Sequence, residues 1–172
     1  MRRSAYQGRG RDLITTLILR NALADDVEQL SLIWSEGWNE AHGHLLPDSV
    51  TKLRTREFFR ARLAKNLASV RVAAIGPNVV ALAITSKDEL DELYVTPSAR
   101  GQGAAVALVS DAVSSIRSAG YRRAWLACAV GNEKAARFYQ RLGWSLAGPN
   151  TIHMSSENKL IPVPVWRFEL EL

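Results

Sequence analysis

Arg100, Gly101 and Gly103 stand where the apolar stretch "ELYV" gives way to the apolar-striped run "GAAVALVSDAVSSIRSAG". If the second run is a helix, its first N–H groups have no acceptor inside it and project with partial positive charge. Such a terminus suits a phosphate, provided that side chains stay clear of the backbone. Gly101, Gln102, Gly103, Ala104 and Ala105 supply a nearly bulk-free segment, and Arg100 adds a charge-assisted donor. Two other phosphate loops do not fit. The P-loop needs a Gly-Lys-Ser/Thr ending that is missing, and the dinucleotide fingerprint needs a third glycine where Val106 stands. For this segment taken alone, a tight strand-to-helix turn without a ligand remains the alternative.

Other reactive side chains say less. Cys128 lies in the apolar run "AWLACAV" and reads as a small buried hydrophobe. As the sole cysteine it offers neither an internal disulfide nor a cysteine metal cluster. His42 and His44 lack the i,i+4 spacing of a helical zinc pair and have no evident third ligand, so no metal site is expected. His153 is expected at the surface.

A length of 172 residues suits one domain, and 47% hydrophobic with 23% charged residues is ordinary for a packed core and a wetted surface. No apolar run approaches the roughly 20 residues that span a bilayer, so no membrane partner is expected and the location is read as cytoplasmic. The formal net charge is +5. Arg2, Arg3, Arg9 and Arg11 precede the first carboxylate, Asp12, and carry most of that excess. Residues 1–12 therefore read as a flexible basic tail and 13–172 as the domain, and no nucleic-acid partner is expected.

The elements that must position the phosphate loop follow from hydrophobic spacing. Leu13 to Ala22 is rich in β-branched and aliphatic residues and predicts a first strand. Val27, Leu30 and Trp34 fall at helical spacing, with Asp25 and Glu28 as a capping-box-like start. A second helix is expected within Ser49 to Lys65, with Leu53, Phe59 and Leu63 inward. "SVRVAAIGPNVVALAITS" predicts a hairpin and "DELDELYV" a further strand. Val106, Val109, Val113 and Ile116 make the stripe of the helix after the loop, which Gly120 stops. "AWLACAV" is apolar throughout and predicts a strand covered on both faces. "NEKAARFYQRLG" predicts a short helix capped by Asn132, and two late strands follow. The order β-α-α-β-β-β-α-β-α-β-β predicts an α/β (α+β) fold: a mixed, mostly antiparallel sheet with helices on both faces. In strict alternation Leu90 and Leu93 would lie on opposite faces, whereas a bulge at Asp91–Glu92 returns Leu90, Leu93 and Val95 to one face.

"ELDELYVTPSARGQGAAVALV" followed by "NEKAARFYQRLGW" resembles the GNAT superfamily of N-acetyltransferases. The superfamily's R/Q-x-x-G-x-G/A loop is matched by Arg100, Gly103 and Ala105. Its N-x-x-A-x-x-F-Y-x-x-x-G-F segment is matched by Asn132, Ala135, Phe138, Tyr139 and Gly143, with Trp144 in place of the final Phe. The close match covers Glu89 to Trp144, and "LILRNALADDVEQL" agrees more loosely with the usual first strand and helix.

The resemblance implies an enzyme that uses acetyl-CoA as co-substrate and a small-molecule or peptide primary amine as acceptor. Direct attack within a ternary complex is the implied route. The pyrophosphate would sit on the amides of Gln102 to Ala105, and the pantetheine arm along Leu93, Tyr94 and Val95, with contacts from Asn132, Ala135 and Tyr139. An amine loses a proton during attack, so a base is required. Glu89 is the first candidate and Glu92 the second; a free glutamate at about 4.3 is too weak unless buried. Glu89, Asp91 and Glu92 as a solvated acidic edge is the alternative. Tyr139 would give a proton to the departing thiolate. Trp34, Glu36, Trp38 and His42 are the acceptor-side candidates, since aromatic faces and a carboxylate hold cations; Trp34 also fits a core stripe. Relatives often pair through their late strands, which leaves a homodimer open. The rival function is a non-catalytic acetyl-CoA-binding regulatory module, which would need neither Glu89 nor Tyr139.

Overall fold

The computed structural model describes residues 16–156 and 159–172. The expected basic tail and the start of the expected first strand lie outside them. In chain order the protein forms β1 (Leu17–Asn21), α1 (Val27–His42), α2 (Asp48–Thr51), α3 (Arg56–Asn66), β2 (Val70–Ile75), β3 (Asn78–Ser86), β4 (Glu89–Val95), α4 (Ala104–Ser118), β5 (Arg123–Ala129), α5 (Glu133–Arg141), β6 (Ser145–Ser155) and β7 (Leu160–Glu171). The strands join in one sheet, ordered β1-β2-β3-β4-β5-β7-β6. β4 and β5 are parallel and every other neighbouring pair is antiparallel. The mixed, mostly antiparallel sheet expected from the sequence is therefore the one observed.

Both faces are covered. α1 and α3 bring Leu30, Trp34, Trp38, Phe59 and Leu63 against Val70, Val72 and Leu82. On the opposite face α4 and α5 set Leu108, Ala112, Ile116 and Ala136 against Ala81, Ala83, Leu126 and Phe168. Helix starts are fixed by side chains. Asn132 caps α5 as expected, accepting the Ala135 N–H at 3.2 Å. Thr55 caps α3, accepting the Phe58 N–H at 3.2 Å. The entry to α1 differs from expectation: Asp26, not Asp25, accepts the Leu23 N–H at 2.7 Å while bonded to Arg20 at 2.6 Å.

Three packing expectations are corrected. The single helix expected within Ser49 to Lys65 is two, because the chain leaves helix after Thr51 and restarts behind Thr55. That break resets the phase: Phe59 and Leu63 are buried as expected, Leu53 is only partly so, and Arg54 is buried at 8% exposure. The buried stripe of α4 is Ala104, Leu108, Ala112 and Ile116, spaced four apart, with Val109 beside it; Val106 stands exposed. In β5, Ala124, Leu126 and Cys128 are buried, but the other face is only half covered. There Ala127 borders an open cleft and Trp125 lies 4.1 Å beneath the Arg167 guanidinium. Among the described residues no helix is long and apolar enough to cross a membrane.

α1 sits close to β4 at a residue without a side chain. A Cβ on Gly37 would lie 2.6 Å from Cδ1 of the buried Tyr94 ring. Gly37→Ala gains about 1 kcal/mol of helix propensity but forces Tyr94 to move, an overpacking cost of about 1–3 kcal/mol. Urea unfolding is expected to show net destabilisation; a stability gain equal to the propensity would contradict this contact.

Candidate functional site

β4 and β5 share a single bridge, Glu89 opposite Trp125. Asp88 reinforces it: its carbonyl accepts the Trp125 N–H at 3.0 Å and its carboxylate accepts the indole N–H at 3.3 Å. Beyond this point the strands part. Pairing with β3 gives the cause, because Ile84 lies opposite Glu92 and Thr85 opposite Leu90, so Asp91 has no partner. This is the bulge expected at Asp91–Glu92, and an extra residue bends and twists its strand. Leu90, Leu93 and Val95 accordingly pack toward α4, and Tyr94 toward α1.

The parting strands enclose a cleft of about 1320 Å³. Thr96 donates its N–H to Val80 of β3 at 2.9 Å. Backbone groups alternate in direction along a strand, so Leu93 and Val95 present N–H and C=O to the cleft. Tyr94 points its backbone at its β3 neighbour Leu82 and reaches the cleft only with its side chain.

The start of α4 forms one wall. Gly101 and Gly103 have φ of +77° and +88°, a left-handed conformation that glycine adopts without strain. Gln102 is engaged: its N–H reaches Ala99 O at 3.3 Å and its side chain Ser98 O at 2.7 Å. Helical bonding resumes with Ala107 N–H to Gly103 O at 2.9 Å. Among the described residues, the amides of Gly103, Ala104, Ala105 and Val106 have no backbone acceptor, so the open donor set begins at Gly103. Arg100 is held across the cleft by Glu40 of α1 through bonds of 2.8 and 2.5 Å. Lys134 comes within 4.0 Å of the same carboxylate. The Arg100 guanidinium keeps Glu40 below the usual carboxylate range.

At the acidic end, Arg62 of α3 bonds Glu92 at 3.4 Å and lies 3.7 Å from Asp91. Burial, reinforced by Asp91 and Asp88, pushes the Glu89 carboxyl up to about 7. Burial also raises Glu92 to about 7, with Asp91 adding and Arg62 opposing. Asp91 is raised by burial as well. Tyr139 borders the cleft while packing its ring 6.1 Å from Trp144 and 6.3 Å from Phe168. Burial first, then Cys128 and Glu92, raise the Tyr139 phenol, which stays protonated at neutral pH. Cys128 is 4% exposed and its thiol is pushed up to about 11 by burial, which leaves it unreactive.

The cleft brings together Glu89, Glu92, Leu93, Tyr94, Val95, Arg100, Gly101, Gly103, Ala104, Ala105, Asn132, Ala135, Tyr139, Trp38 and His42. His42 stacks on Trp38 and its Nδ1 donates to Trp38 O at 3.1 Å; burial lowers its pKa, so the ring is neutral. Two acceptor-side candidates are not brought in. Trp34 is 1% exposed behind Glu92, where its indole N–H makes no full hydrogen bond and adds a weak pull on that carboxylate. Glu36 is exposed and does not border the cleft. Sequence reading missed Glu40, Arg54, Phe58 and Arg62. α3 supplied a signal: Phe58 and Arg62 are spaced four apart on one helical face, and Arg54 stands four residues before Phe58, just ahead of the helix, so the row carries an aromatic ring between two charges rather than aliphatic residues.

The family model for the Acetyltransferase (GNAT) family matches residues 27–144. An uncharacterized N-acetyltransferase of Mycobacterium bovis is 32% identical over 71 residues, 41% of this chain and 46% of the relative. The chain thus spans about half the length of the curated relatives it matches. A GCN5-related N-acetyltransferase of Rhodopseudomonas palustris superposes with TM-score 0.71 at 19% identity, covering 95% of this chain and all (100%) of that one. The PaiA N-acetyltransferase of Thermoplasma acidophilum, in complex with coenzyme A, gives 0.66 at 15%, covering 91% and 99%. At these identities the likeness is one of fold.

Glu40 would compete with a phosphate that reached Arg100. An exposed ion pair contributes about 0.2–1 kcal/mol, so Glu40→Gln is expected to tighten coenzyme A binding, by at most about fivefold in calorimetry. Weaker binding in that variant would mean that Glu40 holds Arg100 where it is needed.

Proposed function

The chain belongs to the GNAT family of acetyltransferases, and from that premise we propose that it moves the acetyl group of acetyl-CoA onto a primary amine by direct attack within a ternary complex. The observation that carries the reading is the parting of β4 and β5 after Glu89–Trp125, with unsatisfied amides at one wall of the gap and raised carboxylates at another.

The residues present fit the co-substrate. Among the described residues, four amides from Gly103 to Val106 have no backbone acceptor, and glycine leaves the approach open. Arg100 and Lys134 add positive charge beside them. Leu93 and Val95 offer a free strand edge on which an amide-bearing arm could pair. Val95 N–H is also the donor placed to meet an oxyanion formed on the attacked carbonyl.

Glu92 is the better base of the two carboxylates. Both are raised to about 7, so both are part-ionised at neutral pH and strong enough to take a proton from an ammonium. Glu92 alone of the pair acts electrostatically on Tyr139, which puts it near the group that would protonate the thiolate. The neutral Tyr139 phenol carries the proton that the leaving sulfur needs.

A base must be ionised to work, so activity is lost as pH falls through about 7. Glu92→Gln is expected to remove that limb from the pH profile of kcat/KM and to cut kcat by about 10²–10⁴-fold. A limb that persists in Glu92→Gln and disappears in Glu89→Gln would assign the base to Glu89. Tyr139→Phe is expected to lower kcat by a similar factor while coenzyme A affinity stays within about twofold. Tight coenzyme A binding by a wild-type protein that releases no free thiol with any amine would identify a binding module instead of an enzyme.

A further inference from the structure

Among the described residues, the acceptor wall holds a buried charge that no carboxylate pairs. Arg54, just ahead of α3, is 8% exposed and borders the cleft. Its guanidinium lies 4.6 Å from the Phe58 ring centroid and 5.8 Å from that of Trp38. Its only hydrogen bond among the described residues runs from Nη1 to the Ser155 carbonyl of β6, at 3.3 Å. A guanidinium carries five N–H donors in a planar fork. Among the described residues no carboxylate comes within ion-pair distance of it.

Its neighbour makes matters worse. Arg62 shares the Phe58 ring at 5.9 Å but spends its own charge on Asp91 and Glu92. Burial and Arg62 together disfavour the charged form of Arg54, with Glu92 a lesser, opposing influence. A buried cation without a partner is costly, and removal of one partner from a buried pair is what usually creates that state. A planar anion that enters the cleft from solution would supply such a partner.

We infer that the acceptor is a small amino carboxylate, bound through its carboxylate by the Arg54 guanidinium while its amine faces Glu92. This rests on the acetyl-transfer reading above. The fork of Arg54 matches a carboxylate in two parallel N–H···O bonds. Phe58 and Trp38, whose rings flank the guanidinium, together with Ile152 and Met154 of the cleft lining, offer an apolar surface to the side chain of an amino acid. Arg54 here selects the substrate; it takes no part in proton transfer.

The test compares the twenty proteinogenic L-amino acids with their primary amides as acceptors, by release of free thiol from acetyl-CoA. Wild type is expected to use at least one amino acid with kcat/KM at least about 100-fold above that of its amide, since a site built around a polar contact rejects the analogue that lacks it. Arg54→Lys, which keeps charge and bulk, is expected to raise KM for that amino acid at least tenfold. Coenzyme A affinity should not change, and KM for the amide should rise by a smaller factor than KM for the acid, a split that a merely structural arginine would not produce. Arg54→Met is expected to abolish the preference. Equal use of acids and amides, use of amides alone, or an equal rise in KM for both in Arg54→Lys overturns the inference.

If coenzyme A binds but no acceptor is acetylated, the transfer reading fails, and calorimetry of the amino acids on the coenzyme A complex decides this proposal separately. Binding that is present in wild type and at least tenfold weaker in Arg54→Lys supports it. No binding of any amino acid to wild type overturns it.

Discussion

One cross-strand pair, Glu89 with Trp125, makes up the ladder between β4 and β5 among the described residues, and the cleft exists because pairing stops there. The bulge at Asp91 gives β4 a residue that β3 cannot match, and the added twist turns the strand from its parallel neighbour. Asp88 clamps the closed end through two bonds to Trp125, so the strands part as a wedge with a fixed apex. A continued ladder would have consumed the edge groups of Leu93 and Val95. Interrupted, it leaves them unpaired beside a helix terminus whose own amides are also unpaired. Backbone groups of that kind are rarely left without partners, and a ligand is a natural way to satisfy them.

The same wedge sets the electrostatics. It brings Asp88, Glu89, Asp91 and Glu92 together in a partly enclosed space, where burial and mutual repulsion raise Glu89 and Glu92 to about 7. Arg62 prevents the cluster from becoming wholly neutral, since its contacts with Glu92 and Asp91 favour the anions. Cations therefore occupy two places around the cleft. Arg100 and Lys134 flank the start of α4 and already share Glu40, whereas Arg54 stands on the opposite helical layer without a counter-ion among the described residues. A substrate with an amine and an anion, together with a diphosphate, would complete both.

Much of this was legible in the sequence, for reasons that differ by residue. The loop around Gly103 and the Asn132 cap depend on local backbone geometry, which glycine and asparagine report directly. The bulge showed because a period of two failed between Leu90 and Leu93. The phase of α4 did not show: valines at 106, 109, 113 and 116's isoleucine suggested one stripe, but small residues at Ala104 and Ala112 allow the closer approach, and Val106 is left toward the cleft. Trp34 and Trp38 look alike in sequence, yet only the second reaches the cleft, because Trp34 packs on Phe59 at 4.9 Å behind Glu92. Arg54 was invisible as a buried group, since its burial depends on the break between α2 and α3 and on the distant Ser155 carbonyl.

Backbone amide chemical shifts and exchange rates, recorded by NMR with and without coenzyme A, test the central claim most directly. The account predicts that Gly103, Ala104, Ala105 and Val106, together with Leu93 and Val95, shift and gain protection in the complex, while Tyr94, already bonded toward β3, does not gain. Saturating coenzyme A that leaves all six amides unchanged, or that protects a different surface, would contradict it.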